Sequence, residues 1–99
     1  MKIEHDRERC EFKAFTDDGV RIGEIAYEEC DGNLTATHTL VADAFQGKGA
    51  AQELLDALRD YAAENGMKII PVCSYVVAAF KRYPERYKAV IGADGTRSR

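Results

Sequence analysis

No stretch of this 99-residue sequence approaches the ~20 consecutive apolar residues that a membrane span requires, and its first residues, MKIEHDRE, lack the apolar segment of a signal peptide. Neither a membrane partner nor export is expected, and the cytoplasm is the compartment the sequence points to. Positive charge is short as well: 14 Lys and Arg stand against 17 Asp and Glu, for a formal charge of -3, and the basic residues are scattered among acidic ones. A surface that neutralises phosphates in series needs the opposite, so nucleic acid is not an expected partner. Cysteine is sparse. Cys10, Cys30 and Cys73 are odd in number and form no C-x-x-C pair, which argues against a disulfide framework and a zinc site. His5 and His38 add no ligand pair at helical or knuckle spacing, so no metal is expected. With 2 Pro and neither a repeat nor a low-complexity tract, nothing reads as a linker between domains.

What is present fits one globular domain. The composition is 45% hydrophobic and 31% charged, inside the ordinary range, and a chain this short buries only about two thirds of the surface its unfolded form exposes. The expected domain covers residues 1–91; residues 92–99, small and polar, read as a flexible C-terminal tail.

Residues 1–41 read as an antiparallel meander: a short strand near Lys2 to His5, then RCEFKAFT, VRIGEIAYEEC and LTATHTLV. Asp17–Gly19 and Asp31–Asn33 supply turn residues that tolerate positive φ. From Ala50 the period changes. Leu54, Leu55, Leu58 and Ala62 share one helical face opposite Glu53, Asp56, Arg59 and Asp60, and Asn65-Gly66 is a left-handed stop. MKIIPVC then reads as a strand buried on both faces, parallel to the one before the helix through a right-handed crossover. SYVVAAFKRY has helical spacing, with Ser74 as N-cap and Pro84 as its end. The fold class is α+β: a mixed, mostly antiparallel sheet of about five strands, with one β-α-β unit and a second short helix.

The loop ADAFQGKG joins strand to helix and places Gly47 and Gly49 at the helix mouth. First-turn amides have no partner inside a helix, and the dipole there is positive, so an anion docks where side chains leave room. Lys48 adds charge, while Ala50 and Ala51 keep the first turn narrow. The same two glycines also serve a plain turn. QGKGAA lacks the G-x-x-x-x-G-K-[ST] spacing of a P-loop and the third glycine of a Rossmann turn.

QGKGAA, Gln46 to Ala51, resembles the Q/R-x-x-G-x-G/A segment of GCN5-related N-acetyltransferases, with Gln46, Gly49 and Ala51 at the matching positions. THTLV, IIPVCSYV and the later proline of RYPERYKAVI are similar to a minimal subgroup of that family, the YidJ-like or plant minimal acetyltransferase proteins. The resemblance spans roughly residues 2–91 and implies a truncated fold of that family. It also implies acetyl-CoA as cosubstrate and an amine as acceptor. Gln46, Gly47, Lys48, Gly49, Ala50 and Ala51 would hold the coenzyme diphosphate, and the backbone of Leu40 and Val41 would meet the pantetheine arm. Ordinary members continue with two more strands, so a reduced acceptor wall is expected. Either a monomer or a homodimer is compatible.

Two residues are candidates for chemistry. Cys73 ends a strand at a helix N-terminus, where a thiol pKa falls and the thiolate becomes a nucleophile; the resemblance makes it a candidate acetyl carrier, and packing is the alternative. His38 shares a strand face with Leu34, Ala36 and Leu40, so its imidazole is expected to point into an apolar surface. There it serves either as the general base for the amine or as a hydrogen-bonded core histidine. The expected function is transfer of acetyl from acetyl-CoA to an amine. The rival is a non-catalytic CoA-binding module serving regulation or protein association.

Overall fold

Hydrophobic alternation sets the strands of one sheet, and a glycine-flanked helix covers one of its faces. In the computed structural model, which describes residues 1–91, the strands are β1 (Lys2–Asp6), β2 (Glu11–Phe15), β3 (Arg21–Cys30), β4 (Asn33–Val41) and β5 (Lys68–Pro71). They form one sheet in the order β1-β2-β3-β4-β5. The first four pair antiparallel and β5 joins β4 in parallel. A 3-10 turn (Asp43–Phe45) leads into α1 (Ala50–Glu64); α2 (Ser74–Arg82) and α3 (Pro84–Tyr87) follow β5. The tail expected over 92–99 lies outside the described residues.

The core lies between one sheet face and the helices. Phe12, Ala14, Ile25, Tyr27, Leu34 and Ala36 from the strands meet Leu54, Leu55, Leu58 and Ala62 of α1 and Val76, Ala79 and Phe80 of α2, with Tyr87 and Val90 closing one end. Each fully buried Leu or Ile adds about 1.5–3 kcal/mol. The other face, carrying Lys13, Glu24, Ala26, His38 and Leu40, bears no helix of the described residues.

Several local expectations need correction. β5 is four residues long and lies at the sheet edge, with Lys68 exposed and Ile70 half-buried, so it is not buried on both faces; an edge position is also where Pro71, lacking N–H, is tolerated. Cys73, not Ser74, occupies the N-cap of α2. Pro84 ends that helix but also opens α3 at its first turn, where its fixed φ is favourable. Cys30, in the β3–β4 hairpin where a cysteine of the meander would be read as packing, is exposed.

The largest departure concerns β4. Its pairing with β3 runs Ile25↔Thr39 and Ala26↔His38, then shifts to Tyr27↔Ala36. Thr37 is therefore the extra residue of a β-bulge, and every side chain beyond it changes face. Thr39, opposite Ile25, returns to the helix side. His38 and Leu40 turn to the helix-free side, Leu40 with 60% exposure, and the apolar setting expected for His38 does not exist.

Candidate functional site

Beyond Ala36 the two parallel strands part. Asn33–Ala36 pair with Lys68–Pro71, and the amides of Val72 (3.2 Å) and Cys73 (2.9 Å) both donate to the Ala36 carbonyl as the chain turns into α2. β4 continues to Val41 without β5 beside it. Thr39 and Val41 line the resulting cleft of about 460 Å³ together with Phe45, Gln46, Gly47, residues 49–52 and Tyr75.

At one end of this cleft stands the mouth of α1. Gly47 (φ 79°) and Gly49 (φ 84°) both lie in the left-handed region, which glycine enters without the penalty of a Cβ. Gly49 is the N-cap and supplies no side-chain cap, and the first helical hydrogen bond runs from the Glu53 amide to the Gly49 carbonyl at 3.0 Å. The amides of residues 47–52 have no acceptor among the described residues. Gln46, Gly47, Lys48 and Gly49 are exposed, Ala50 is buried and Ala51 half-buried, so small residues leave the amides open. Gln46 itself points elsewhere: its side-chain amide donates to the Val41 carbonyl at 3.2 Å and to Asp43 Oδ1 at 3.4 Å, bracing the loop.

At the other end Cys73 Sγ lies 3.5 Å from Thr39 Oγ1. Burial pushes the thiol up, but the Thr39 hydroxyl and the amides of Val76, Tyr75 and Thr39 favour the thiolate, and the net shift is downward. Leu40 turns its side chain away from the cleft. Because the Ala42 amide donates to the Ile22 carbonyl at 2.8 Å, strand alternation turns the Leu40 backbone toward β3 too, and leaves Thr39 and Val41 facing the gap. His38 is on the opposite sheet face, 52% exposed in its side chain, with Nε2 2.9 Å from Glu24 Oε2.

The helix mouth, loop, Val41 and Thr39 thus share one cleft, with Cys73 against its Thr39 wall; His38 and the Leu40 side chain lie elsewhere. Thr39 escaped the sequence reading because the Thr37 bulge has no period-2 signature. Glu24 escaped it because a pairing across strands leaves no mark in sequence spacing.

This geometry has relatives. The family model described as GCN5-related N-acetyl-transferase matches residues 11–90. The chain belongs to the GCN5-related N-acetyltransferases. Protein NATD1 of Xenopus tropicalis is 33% identical over 86 residues, covering 85% of this chain and 78% of that protein. The solution structure of a GCN5-like putative N-acetyltransferase from Staphylococcus aureus shares the fold with a TM-score of 0.70 at 28% identity, over 93% of this chain and 88% of that one. AAC(6')-Iy, solved with the bisubstrate analogue CoA-S-monomethyl-acetylneamine, shares the fold alone, with a TM-score of 0.54 at 18% identity over 90% of this chain and 68% of that one. As an N-acetyltransferase family member the chain is matched to acetyl transfer as a class, and no helix of the described residues is long and apolar enough to cross a membrane.

Proposed function

We propose that this protein transfers acetyl from acetyl-CoA to an amine, as a minimal N-acetyltransferase of the YidJ-like or plant type. The observation that carries this reading is the row of unpartnered amides at the mouth of α1, opening into a cleft that ends at the Thr39–Cys73 contact. The residues suit the coenzyme. The amides of residues 47–52, with Lys48 beside them, would hold the diphosphate, and the gap-facing backbone of Val41 and Thr39 would take the amides of the pantetheine arm. The acetyl thioester supplies the electrophile.

The chain's own residues then bind, orient and move protons. Thr39 and the first-turn amides of α2 hold negative charge near Cys73, which suits Cys73 either as a transient acetyl carrier or as part of a site for a leaving thiolate. His38 remains the candidate to take the proton of the amine. Solvent reaches it from the helix-free face.

Calorimetry with acetyl-CoA, followed by thiol release against a panel of amines, tests the reading. Micromolar binding with amine-dependent release supports it. Absence of coenzyme binding overturns it, and binding without turnover on any amine replaces it with the CoA-binding module.

A further inference from the structure

The helix-free face of the sheet carries a chain of alternating charge across four strands. Asp6 of β1 pairs with Lys13 of β2 at 3.0 Å; Lys13 lies 3.8 Å from Glu11, and Glu11 lies 3.9 Å from Arg21 of β3. Arg21 pairs in turn with Glu24, and Glu24 reaches His38 of β4. Isolated surface ion pairs of this kind add little stability. Three members at the middle of the row are, however, largely covered: Glu24 is 15% exposed in its side chain, Lys13 19% and Glu11 20%.

The row ends on a half-exposed imidazole beside the gap between β4 and β5. His38 directly precedes Thr39, which faces Cys73 from the other side of the same strand. Leu40, on the face where His38 stands, and Val72, just past β5, are each 60% exposed. Nothing within the described residues covers this lip.

Glu24 has both oxygens committed. Arg21 holds Oε1, and Oε2 lies 2.9 Å from His38 Nε2. A carboxylate held by a guanidinium accepts hydrogen bonds, so the ring proton sits on Nε2. That leaves the Nδ1 lone pair of the neutral ring without a partner among the described residues. A largely covered carboxylate that fixes tautomer and ring orientation in this way plays the part of the aspartate in a Ser-His-Asp triad.

We propose, resting on the acetyltransferase reading above, that Glu24 is a positioning residue. It fixes the His38 ring so that Nδ1 takes the proton of an acceptor amine arriving at the gap from the helix-free face. In the transfer an N–C bond forms and the C–S bond breaks; the sulfur leaves with the electron pair, and the proton lost by the nitrogen goes to Nδ1. The Arg21–Glu11–Lys13–Asp6 row anchors Glu24 from behind.

Two measurements test this. In the wild-type protein, ¹⁵N shifts of His38 should show the Nε2–H tautomer with Nδ1 bare; an Nδ1–H or evenly mixed ring overturns the assignment without any variant. Kinetically, Glu24→Gln and His38→Asn are assayed with acetyl-CoA against 2-phenylethylamine, spermidine and a lysine-bearing peptide. With the acceptor that wild type uses best, each variant should lose at least ten-fold in kcat, with KM for acetyl-CoA within two-fold. The double variant should lose no more than His38→Asn alone, since Glu24 acts through the ring. His38→Asn should also abolish the acidic limb of the pH–rate profile. Wild-type turnover in either variant, or an acidic limb that survives His38→Asn, overturns the proposal and leaves the acetyltransferase reading standing. Failure of wild type to use any amine overturns both.

Discussion

Cys73 Sγ sits 3.5 Å from Thr39 Oγ1, bridging β4 to the N-terminus of α2 at the point where β5 has ended. The contact exists only because the bulge at Thr37 returns Thr39 to the helix side. One inserted residue thus decides whether Cys73 meets a hydroxyl, which accepts from its S–H and can donate to its thiolate, or the backbone alone.

Thr39→Val keeps the side-chain shape and removes that donor. Hydrogen bonding to the thiolate is one of the influences that hold the Cys73 pKa below its ordinary value, so the variant's pKa must rise. The pH dependence of iodoacetamide labelling, followed at the Cys73 peptide by mass spectrometry, should show its midpoint move to higher pH. An unmoved midpoint would mean that the helix amides alone stabilise the charge.

At the other end of the cleft, Gly49 has φ 84° and open space where a Cβ would stand. Gly49→Val therefore meets two penalties: a left-handed backbone that costs a non-glycine residue about 1–2 kcal/mol, and a branched side chain beside the bare amides. Affinity for CoA by calorimetry should fall at least ten-fold. Gly19 has an equally positive φ of 90° in the β2–β3 turn, also with nothing near its Cβ position, so Gly19→Val controls for backbone strain. It should lose similar stability and keep coenzyme affinity; equal affinity losses in the two variants would show that only strain is being measured.

How far the sequence carried this picture depends on the range of each interaction. α1 begins at Ala50 and stops before Asn65-Gly66, as the 3.6-residue period and the stop signal require, and the glycine loop stands where the motif puts it, because these are local properties of the chain. The faces of Leu34 and Ala36 follow period-2 alternation; those of His38 and Leu40 do not, since a bulge is set by how two strands meet and not by either one. Ile69-Ile70 looked like a central strand because apolar runs do not reveal whether a strand has one neighbour or two. Glu24–His38 and Asp56–Arg86 join residues 14 and 30 positions apart, beyond the reach of any spacing rule.

Gly23 shows the reverse, a local residue with a distant reason. It lies beside a register shift between β2 and β3, as a strand glycine often does, but its constraint comes from β4. A Cβ at Gly23 would stand 2.4 Å from the Leu40 carbonyl oxygen and 3.1 Å from Val41 Cα. Both are backbone atoms of a paired strand and cannot step aside. Gly23→Ala should cost about 2–3 kcal/mol by urea denaturation, and because the strain falls on the cleft-lining end of β4 it should also weaken CoA binding. A change below about 0.5 kcal/mol, the usual range for a neutral surface substitution, would show that β3 and β4 separate freely there.

Asp56 ties α1 to α3. Its carboxylate accepts from Arg86 Nη2 (2.5 Å) and Nε (3.2 Å) and from Tyr87 Oη (2.9 Å). Burial pushes this carboxyl up, but Arg86, Tyr87 and Arg59 outweigh it and the net shift is downward. With the folded pKa below the unfolded one, the ion contributes stability that is complete above the unfolded value of about 4 and is lost as pH falls through the folded value. Asp56→Asn, which keeps the shape but not the charge, should cost about 1–2 kcal/mol at pH 7. Its stability should also fall less steeply than wild type on acidification below pH 4. Parallel curves for the two proteins in that range, measured by urea midpoint at each pH, would mean that the acid sensitivity resides in another carboxylate, with Asp6, held low by Lys13 and the Arg9 amide, the first to examine.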